Sequence, residues 1–333
     1  MRQGDIGMKE KKLVMRKSPI LTGIKDFGRS KTWQGILRHK LLYLLMAPAI
    51  ILITIFAYAP MFGIIVAFQE YVPAEGVIGS EFVGFSIFYK ILLDPTSASY
   101  LEFRNTIYIS LIRIGTNFPI ILMFTLLINE IKNRKAKSIV QAVSYIPYFI
   151  SWIAVGGMAY NLFKLDGGVF NRLIVAFGGK AFDWYTKVDY WWWILAFSSL
   201  WKGMGWSTLI YISAIGAIDM ELYDACEIDG GGRFRKMISV TIPGLMNVIM
   251  LQLILDVGGI MGDNYDQIMA MINKADALSE STKVIGSLEF GAVSGGSGQA
   301  EATAFGLLRG LVGMSLVLTA NKIAKNSESE GIM

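Results

Sequence analysis

Hydrophobic residues in this chain gather in long unbroken runs instead of alternating with polar ones. Six runs stand out: about Leu41 to Phe68, Asn105 to Asn129, Ile139 to Phe163, Trp191 to Ile218, Pro243 to the Gly258-Gly259 pair, and Ala302 to Ala320. Each is near the ~20 residues a helix needs to cross a bilayer. A span must satisfy its own backbone hydrogen bonds, which leaves helices or a closed barrel. Barrel strands would read as alternating segments of about ten residues, so the pattern predicts an all-α, polytopic membrane protein with about six transmembrane helices. Pro48 and Pro60 fall inside the first run and Pro147 inside the third, as membrane helices tolerate. Pro243 suits the first turn of the fifth, where a missing N–H breaks no bond.

The polar segments between the runs set the orientation. With the amino terminus inside, residues 1–40, 131–138, 217–239 and 321–333 face the cytoplasm and hold twenty Lys/Arg, against eight in 69–104, 164–189 and 259–301. Excess basic charge marks the cytoplasmic side, so both termini are predicted there. The 131–138 loop, with Lys132, Arg134, Lys135 and Lys137, is the cleanest marker. Residues 1–40 read as a retained basic tail resting in part on anionic headgroups, 41–320 as one membrane domain, and 321–333 as a cytoplasmic tail. Gly167-Gly168 and Gly178-Gly179 signal turns. Trp184, Trp191, Trp192 and Trp193 cluster where an interfacial aromatic belt is expected.

Composition narrows the chemistry. Of 333 residues, 53% are hydrophobic and only 17% charged, below the quarter usual in soluble domains. The single cysteine, Cys226, excludes an intrachain disulfide and a Cys-based metal site. The single histidine, His39, lies in a basic stretch before the first run. No catalytic residue or metal ligand is expected, and no nucleic-acid partner.

The most informative segment is the predicted cytoplasmic loop at 219–236. A short helix starts near Asp219, with Leu222, Ala225, Cys226 and Ile228 on its apolar side, and Gly230 to Gly232 end it. Arg233-Phe234-Arg235-Lys236 then leads toward Pro243. A helix of this kind lies along a surface and does not cross a membrane. The spacing Asp224-Ala225-Cys226, three residues, Gly230, nine residues, Val240-Thr241-Ile242-Pro243 resembles the EAA loop of permeases from binding-protein-dependent ABC importers. It departs from that pattern by Asp for Glu, Cys for the second Ala, Val for Ile and Ile for Leu.

Further segments resemble the sugar-uptake branch of that family: Trp201-Lys202-Gly203-Met204-Gly205-Trp206, Asn105-Thr106, Leu127-Ile128-Asn129-Glu130, Tyr265-Asp266-Gln267-Ile268 and Ala320-Asn321-Lys322. The likeness covers roughly 38–333 and is greatest to the larger permeases for oligo- and polysaccharides such as alginate or pectin fragments. It implies a permease in a bacterial cytoplasmic membrane, paired with a second homologous permease. Two ATPase subunits would carry ATP and Mg, so this chain would hold no cofactor, and an external binding protein would deliver the saccharide. Asp224, Ala225, Cys226, Gly230 and Pro243 would then form the coupling element between spans four and five that docks on an ATPase.

Four ionisable residues lie in or near the runs: Arg113, Lys202, Asp256 and Arg309. Charges at bilayer depth usually face a cavity or each other. Arg113, Lys202 and Arg309 are candidates for the substrate path, and the two arginines would suit a carboxylate-bearing sugar. Asp256 can instead be a hydrated residue near the outer end of its span. Val293-Ser294-Gly295-Gly296-Ser297-Gly298-Gln299 is a decoy for an ATPase signature, being one residue too long and on the outside. No phosphate-binding loop Gly-x-x-x-x-Gly-Lys-Ser/Thr is present. A permease for another solute, a secondary transporter and a membrane enzyme are the competing readings; the second lacks inverted repeats and the third a catalytic constellation.

Overall fold

The computed structural model describes residues 39–262, 264–272, 282–293 and 298–326. The basic tail before His39, the Gly/Ser-rich residues 294–297 and the chain after Asn326 lie outside the described residues. Contacts divide the chain into two units, 1–62 and 63–333.

In the first unit, helix α1 (Lys40–Ile53) contains Pro48 and buries none of its residues. It widens into a π-helical turn at Thr54–Tyr58 and then tightens into a 3-10 run, Ala59–Phe68. Pro60 explains the change of pitch, because it has no N–H to give the carbonyl four residues back. Thr54 Oγ1 donates to the Ile50 carbonyl at 2.8 Å, a bond that bends helices locally.

The second unit takes up the 3-10 run at Gly63 and continues into a two-stranded antiparallel ribbon, β1 (Gln69–Glu70) against β2 (Glu81–Phe82), with Gln69 opposite Phe82. The one-turn helix α2 (Gly76–Gly79) lies between them, and α3 (Ser86–Leu93) follows. Ser97 caps the long helix α4 (Ala98–Asn129) by accepting from Tyr100 N at 3.1 Å. Asn133 caps α5 (Arg134–Tyr145), a 3-10 turn follows at Ile146–Phe149, and Ser151 caps α6 (Trp152–Phe163). Next come α7 (Val169–Ala176), α8 (Val188–Ile215), α9 (Met220–Ile228) and the short α10 (Arg233–Lys236). A π-helical turn, Met237–Thr241, joins α10 to α11 (Ile242–Gly258). The unit ends with α12 (Tyr265–Ile272), α13 (Ile285–Val293) and α14 (Gln299–Asn326). Helix α4 packs along α8, α6 against α12, and α11 against α14.

Four runs are long and apolar enough to cross a membrane: Lys40–Phe68, Ala98–Asn129, Arg233–Gly258 and Gln299–Lys322. The segments Arg134–Phe149 and Trp152–Phe163 make a fifth, bent by 97°. The chain is therefore an all-helical polytopic membrane protein with four to five candidate spans.

The structure moves several expected features. The third run is not straight: Pro147 is the second residue of the 3-10 turn, and Ser151 begins a new helix by accepting from Ala154 N. Pro243 sits in the first turn of α11, as expected, but the candidate span reaches back ten residues through the π-turn to Arg233. Helix α14 continues past Ala320 to Asn326. The tryptophan belt is half core: Trp191 is fully buried and its Nε1 donates to the Trp184 carbonyl at 2.7 Å, while Trp193 remains exposed. The predicted turns at Gly167 and Gly178 carry φ of 73° and 83°, values that glycine adopts without strain.

Candidate functional site

Two polar regions stand out among the described residues. The first is a cavity of about 310 Å³ among α4, α8 and α11, at the small end of ligand pockets. Arg113 and Asn117 enter from α4, Ser199, Ser207 and Tyr211 from α8, and Gln252 and Asp256 from α11. They sit within otherwise apolar helices, so their polar atoms turn toward one another and away from lipid. Arg113 Nη1 donates to Asn264 Oδ1, Asn117 Nδ2 to Ser199 Oγ at 2.9 Å, and Gln252 Nε2 to Asp256 Oδ1 at 3.4 Å. The Tyr211 hydroxyl lines the cavity without a hydrogen-bond partner among the described residues, although the residue is 1% exposed. A buried hydroxyl that pairs with no protein group costs its desolvation, and this one turns its oxygen to the cavity.

The three path candidates separate. Arg113 lines the cavity, and so does Asp256. Lys202 does not line it. Its Nζ donates to the Tyr148 carbonyl at 2.6 Å and stands 5.2 Å from the Tyr148 ring and 5.3 Å from the Trp152 ring. Lys202 thus clasps the bend between α5 and α6. The neighbouring residues serve the same contact: Trp206 stacks on Tyr148 at 4.7 Å, and a Cβ on Gly205 would meet the Ser144 carbonyl oxygen at 2.1 Å. Arg309 is also outside the cavity; it pairs with Glu289 of α13 at 3.2 Å, so its acidic partner is within this chain. Two of the other quoted motifs make packing contacts as well. Gln267 donates to the Leu195 carbonyl at 2.6 Å and to Ser198 Oγ at 2.8 Å. Thr106 Oγ1 accepts from Ile285 N at 3.0 Å.

The second place is α9 and the turn after it. Asp219 caps the helix, its Oδ1 accepting from Glu221 N at 3.0 Å. Gly230 ends it at φ 77°, and Gly231 N returns to the Cys226 carbonyl at 2.8 Å, the paired bonding of a glycine-closed helix end. A Cβ on Gly230 meets nothing, but one on Gly231 would lie 2.5 Å from Cys226 Sγ and 2.6 Å from its carbonyl oxygen. Gly231 is thus as constrained as Gly230, a point the motif spacing does not carry. Asp224 and Ala225 are exposed and Cys226 is half-buried. Leu222 at 54%, Ile228 at 86% and Phe234 at 71% leave the apolar side uncovered. The Tyr223 hydroxyl meets Thr241 Oγ1 at 3.0 Å and fixes α9 to the fifth span. Lys236 Nζ donates to Glu227 across the glycine turn, and this bond holds the Glu227 carboxyl below its ordinary range. Glu130, Asp224, Glu227 and Arg233 border a groove of about 490 Å³ beside Tyr223.

Among the described residues no group of His, Cys, Asp and Glu is arranged to hold a metal. Of the cavity residues, Arg113 and Asp256 stand out in the sequence as charges in or near apolar runs. Asn117 and Gln252, amides inside apolar runs, carry a weaker signal of the same kind.

Residues 110–264 match the family model described as the binding-protein-dependent transport system inner membrane component. The chain is 34% identical over 308 residues to the polygalacturonan/rhamnogalacturonan transport system permease protein YteP of Bacillus subtilis, covering 92% of this chain and 95% of that one. The chain belongs to the binding-protein-dependent transport permeases. Protein LplB of the same bacterium is 33% identical to this permease over 95% of its length and 98% of LplB. The fold of this permease also matches a chain in the crystal structure of a bacterial alginate ABC transporter in complex with alginate pentasaccharide-bound periplasmic protein. The TM-score there is 0.80 and the identity 26%, over 91% of this permease and 100% of that chain. This permease is a multi-pass inner-membrane subunit of an ABC importer, and ATP is hydrolysed by separate subunits.

Proposed function

We propose that this permease and a second, homologous permease form the path for an oligosaccharide delivered by an external binding protein, and that the saccharide carries uronate groups. The observation that carries this reading is the 34% identity to a permease named for polygalacturonan and rhamnogalacturonan, sustained over 92% of the chain. The likeness to a chain of an alginate transporter supports it. Arg113 is the group in the cavity suited to a carboxylate, since a guanidinium binds one with two parallel hydrogen bonds. Arg309, already paired with Glu289, keeps a structural role.

In this reading the membrane domain has six spans, with both termini in the cytoplasm. Helix α8 is the additional one: its 28 residues reach about 42 Å at 1.5 Å each, and its serines, glycines and tryptophans lower its hydropathy. Residues 1–40 and 321–333 are the cytoplasmic tails. Helix α9 lies between spans four and five and couples to one of two ATPase subunits. Its uncovered Leu222 and Ile228 support this role, as does a closing turn that holds its shape without a partner. Asp224 offers that partner a carboxylate, Ala225 and Cys226 allow close approach, and Pro243 sits where the π-turn leads into α11.

The test is a reconstituted transporter with both permeases, the ATPases and the binding protein. ATP hydrolysis should rise with binding protein loaded with oligogalacturonate or alginate fragments, and less with neutral oligosaccharides of equal length. Stimulation by neutral sugars alone would remove the acidic substrate. Gly230→Leu and Asp224→Arg should abolish stimulation while leaving membrane insertion intact; near-normal stimulation in both would remove the coupling role.

A further inference from the structure

The start of α5 combines charge and apolar surface in a way the transport function does not use. Lys132, Arg134 and Lys135 are exposed, and none of them belongs to an ion pair among the described residues. Their neighbour Lys137 is tied inward, its Nζ donating to Asn129 Oδ1 at 3.0 Å. The nearest acid in sequence is the exposed Glu130, which caps the end of α4. The first free amides of α5 are taken, because Asn133 Oδ1 accepts from Lys135 N at 2.9 Å and Ala136 N at 3.3 Å. Any anion here would therefore be held by side chains.

Below the cations runs an uncovered stripe. Ile139 is 62% exposed, Val143 59% and Ile146 60%. Lys135, Ile139, Val143 and Ile146 follow the spacing of four, four and three that keeps residues on one helix face. The opposite face is locked by the close approach of Ser144 to Gly205 in α8, so the stripe cannot turn inward. A cationic cluster one turn above an exposed aliphatic stripe has the chemistry of a phosphate headgroup above an acyl chain. Lys and Arg also reach toward an interface along their own apolar stems.

We propose that Lys132, Arg134 and Lys135 bind the phosphate of an anionic phospholipid in the cytoplasmic leaflet, with its acyl chain along Ile139, Val143 and Ile146. The leaflet rests on the orientation given under Proposed function; the lipid site itself does not. The assembled transporter is placed in nanodiscs of phosphatidylcholine containing phosphatidylglycerol, and lipids retained after mild extraction are counted by native mass spectrometry. Wild type should retain phosphatidylglycerol that Lys132→Gln/Arg134→Gln/Lys135→Gln loses, with affinity falling roughly fivefold for each cation removed. Ile139→Ser/Val143→Ser should lose it too, and Lys135→Arg should keep it. Equal retention by wild type and the charge variant would overturn the proposal. So would displacement of the lipid by inorganic phosphate, which would make this a free-anion site. A crosslink from Lys135→Cys, in a Cys226→Ser background, to another subunit would also overturn it and make the stripe a protein interface. Labelling of Lys132→Cys from the outside would overturn the leaflet while lipid retention still stood, so the two failures are distinguishable.

Discussion

Single atoms decide several features of this permease. A Cβ at Gly205 would sit 2.1 Å from the Ser144 carbonyl oxygen, whereas one at Gly203 would meet nothing within 4 Å. Gly205→Ala should therefore destabilise by roughly 1–3 kcal/mol, as overpacking does. Gly203→Ala, two residues away, should be neutral or stabilise by up to about 1 kcal/mol, because glycine costs that much inside a helix; thermal unfolding of the purified protein compares them. Asn171 is a second case. It is 2% exposed; its amide donates to the Lys164, Leu165 and Phe182 carbonyls, and its oxygen accepts from Phe182 N and Trp184 Nε1. Asn171→Ala leaves these groups unpaired and should cost at least about 2 kcal/mol in the same assay. The two arginines should differ in kind. Arg309→Gln leaves Glu289 without its ion pair and should lower stability without changing the preference between acidic and neutral sugars. Arg113→Gln should narrow that preference with a smaller effect on melting. Equal sugar preference in both variants would remove Arg113 from the path.

At the scale of elements, the segment proposed to couple to the ATPase holds its own shape. The segment from Asp219 to Lys236 is closed by its own cap, glycine turn and Glu227–Lys236 pair. Gly231→Ala should thus disturb it as much as Gly230→Ala, one by collision with Cys226 and the other through its backbone angle. Both should lower ATPase stimulation by loaded binding protein while the complex still assembles; a silent Gly231→Ala would show that the turn yields. Much of this element was legible in the sequence, because an N-cap, a short apolar side and a glycine stop are local signals. The apolar runs were legible for the same reason. The bend was not: Pro147 marks where α5 can end, but its direction comes from Lys202 and Trp206, over fifty residues later in the chain. The cavity was hidden differently. Its polar residues appear singly in three separate runs, and only packing shows that Asn117 and Ser199, 82 positions apart, face one another.

At the scale of the whole molecule, the uncovered apolar side of α9 and a polar cavity open within one chain describe a subunit and not a finished machine. The permease reconstituted without ATPase subunits should show no ATP-dependent uptake; uptake from this chain alone would overturn the assembly proposed here. The 97° bend between α5 and α6 bears on how such a subunit is made. An unbroken span leaves a translocon complete, with every backbone group paired. This one carries a break whose Tyr148 carbonyl is met by Lys202 and whose aromatic face is met by Trp206, both on the next long helix. While the ribosome is still translating the intervening loop, residues 134–163 have no such partner. The segment should therefore remain at the translocon until α8 emerges. Nascent chains arrested shortly after residue 163 should stay crosslinked to the translocon, and chains arrested well past residue 206 should release, so that two helices distant in sequence enter the bilayer as one event.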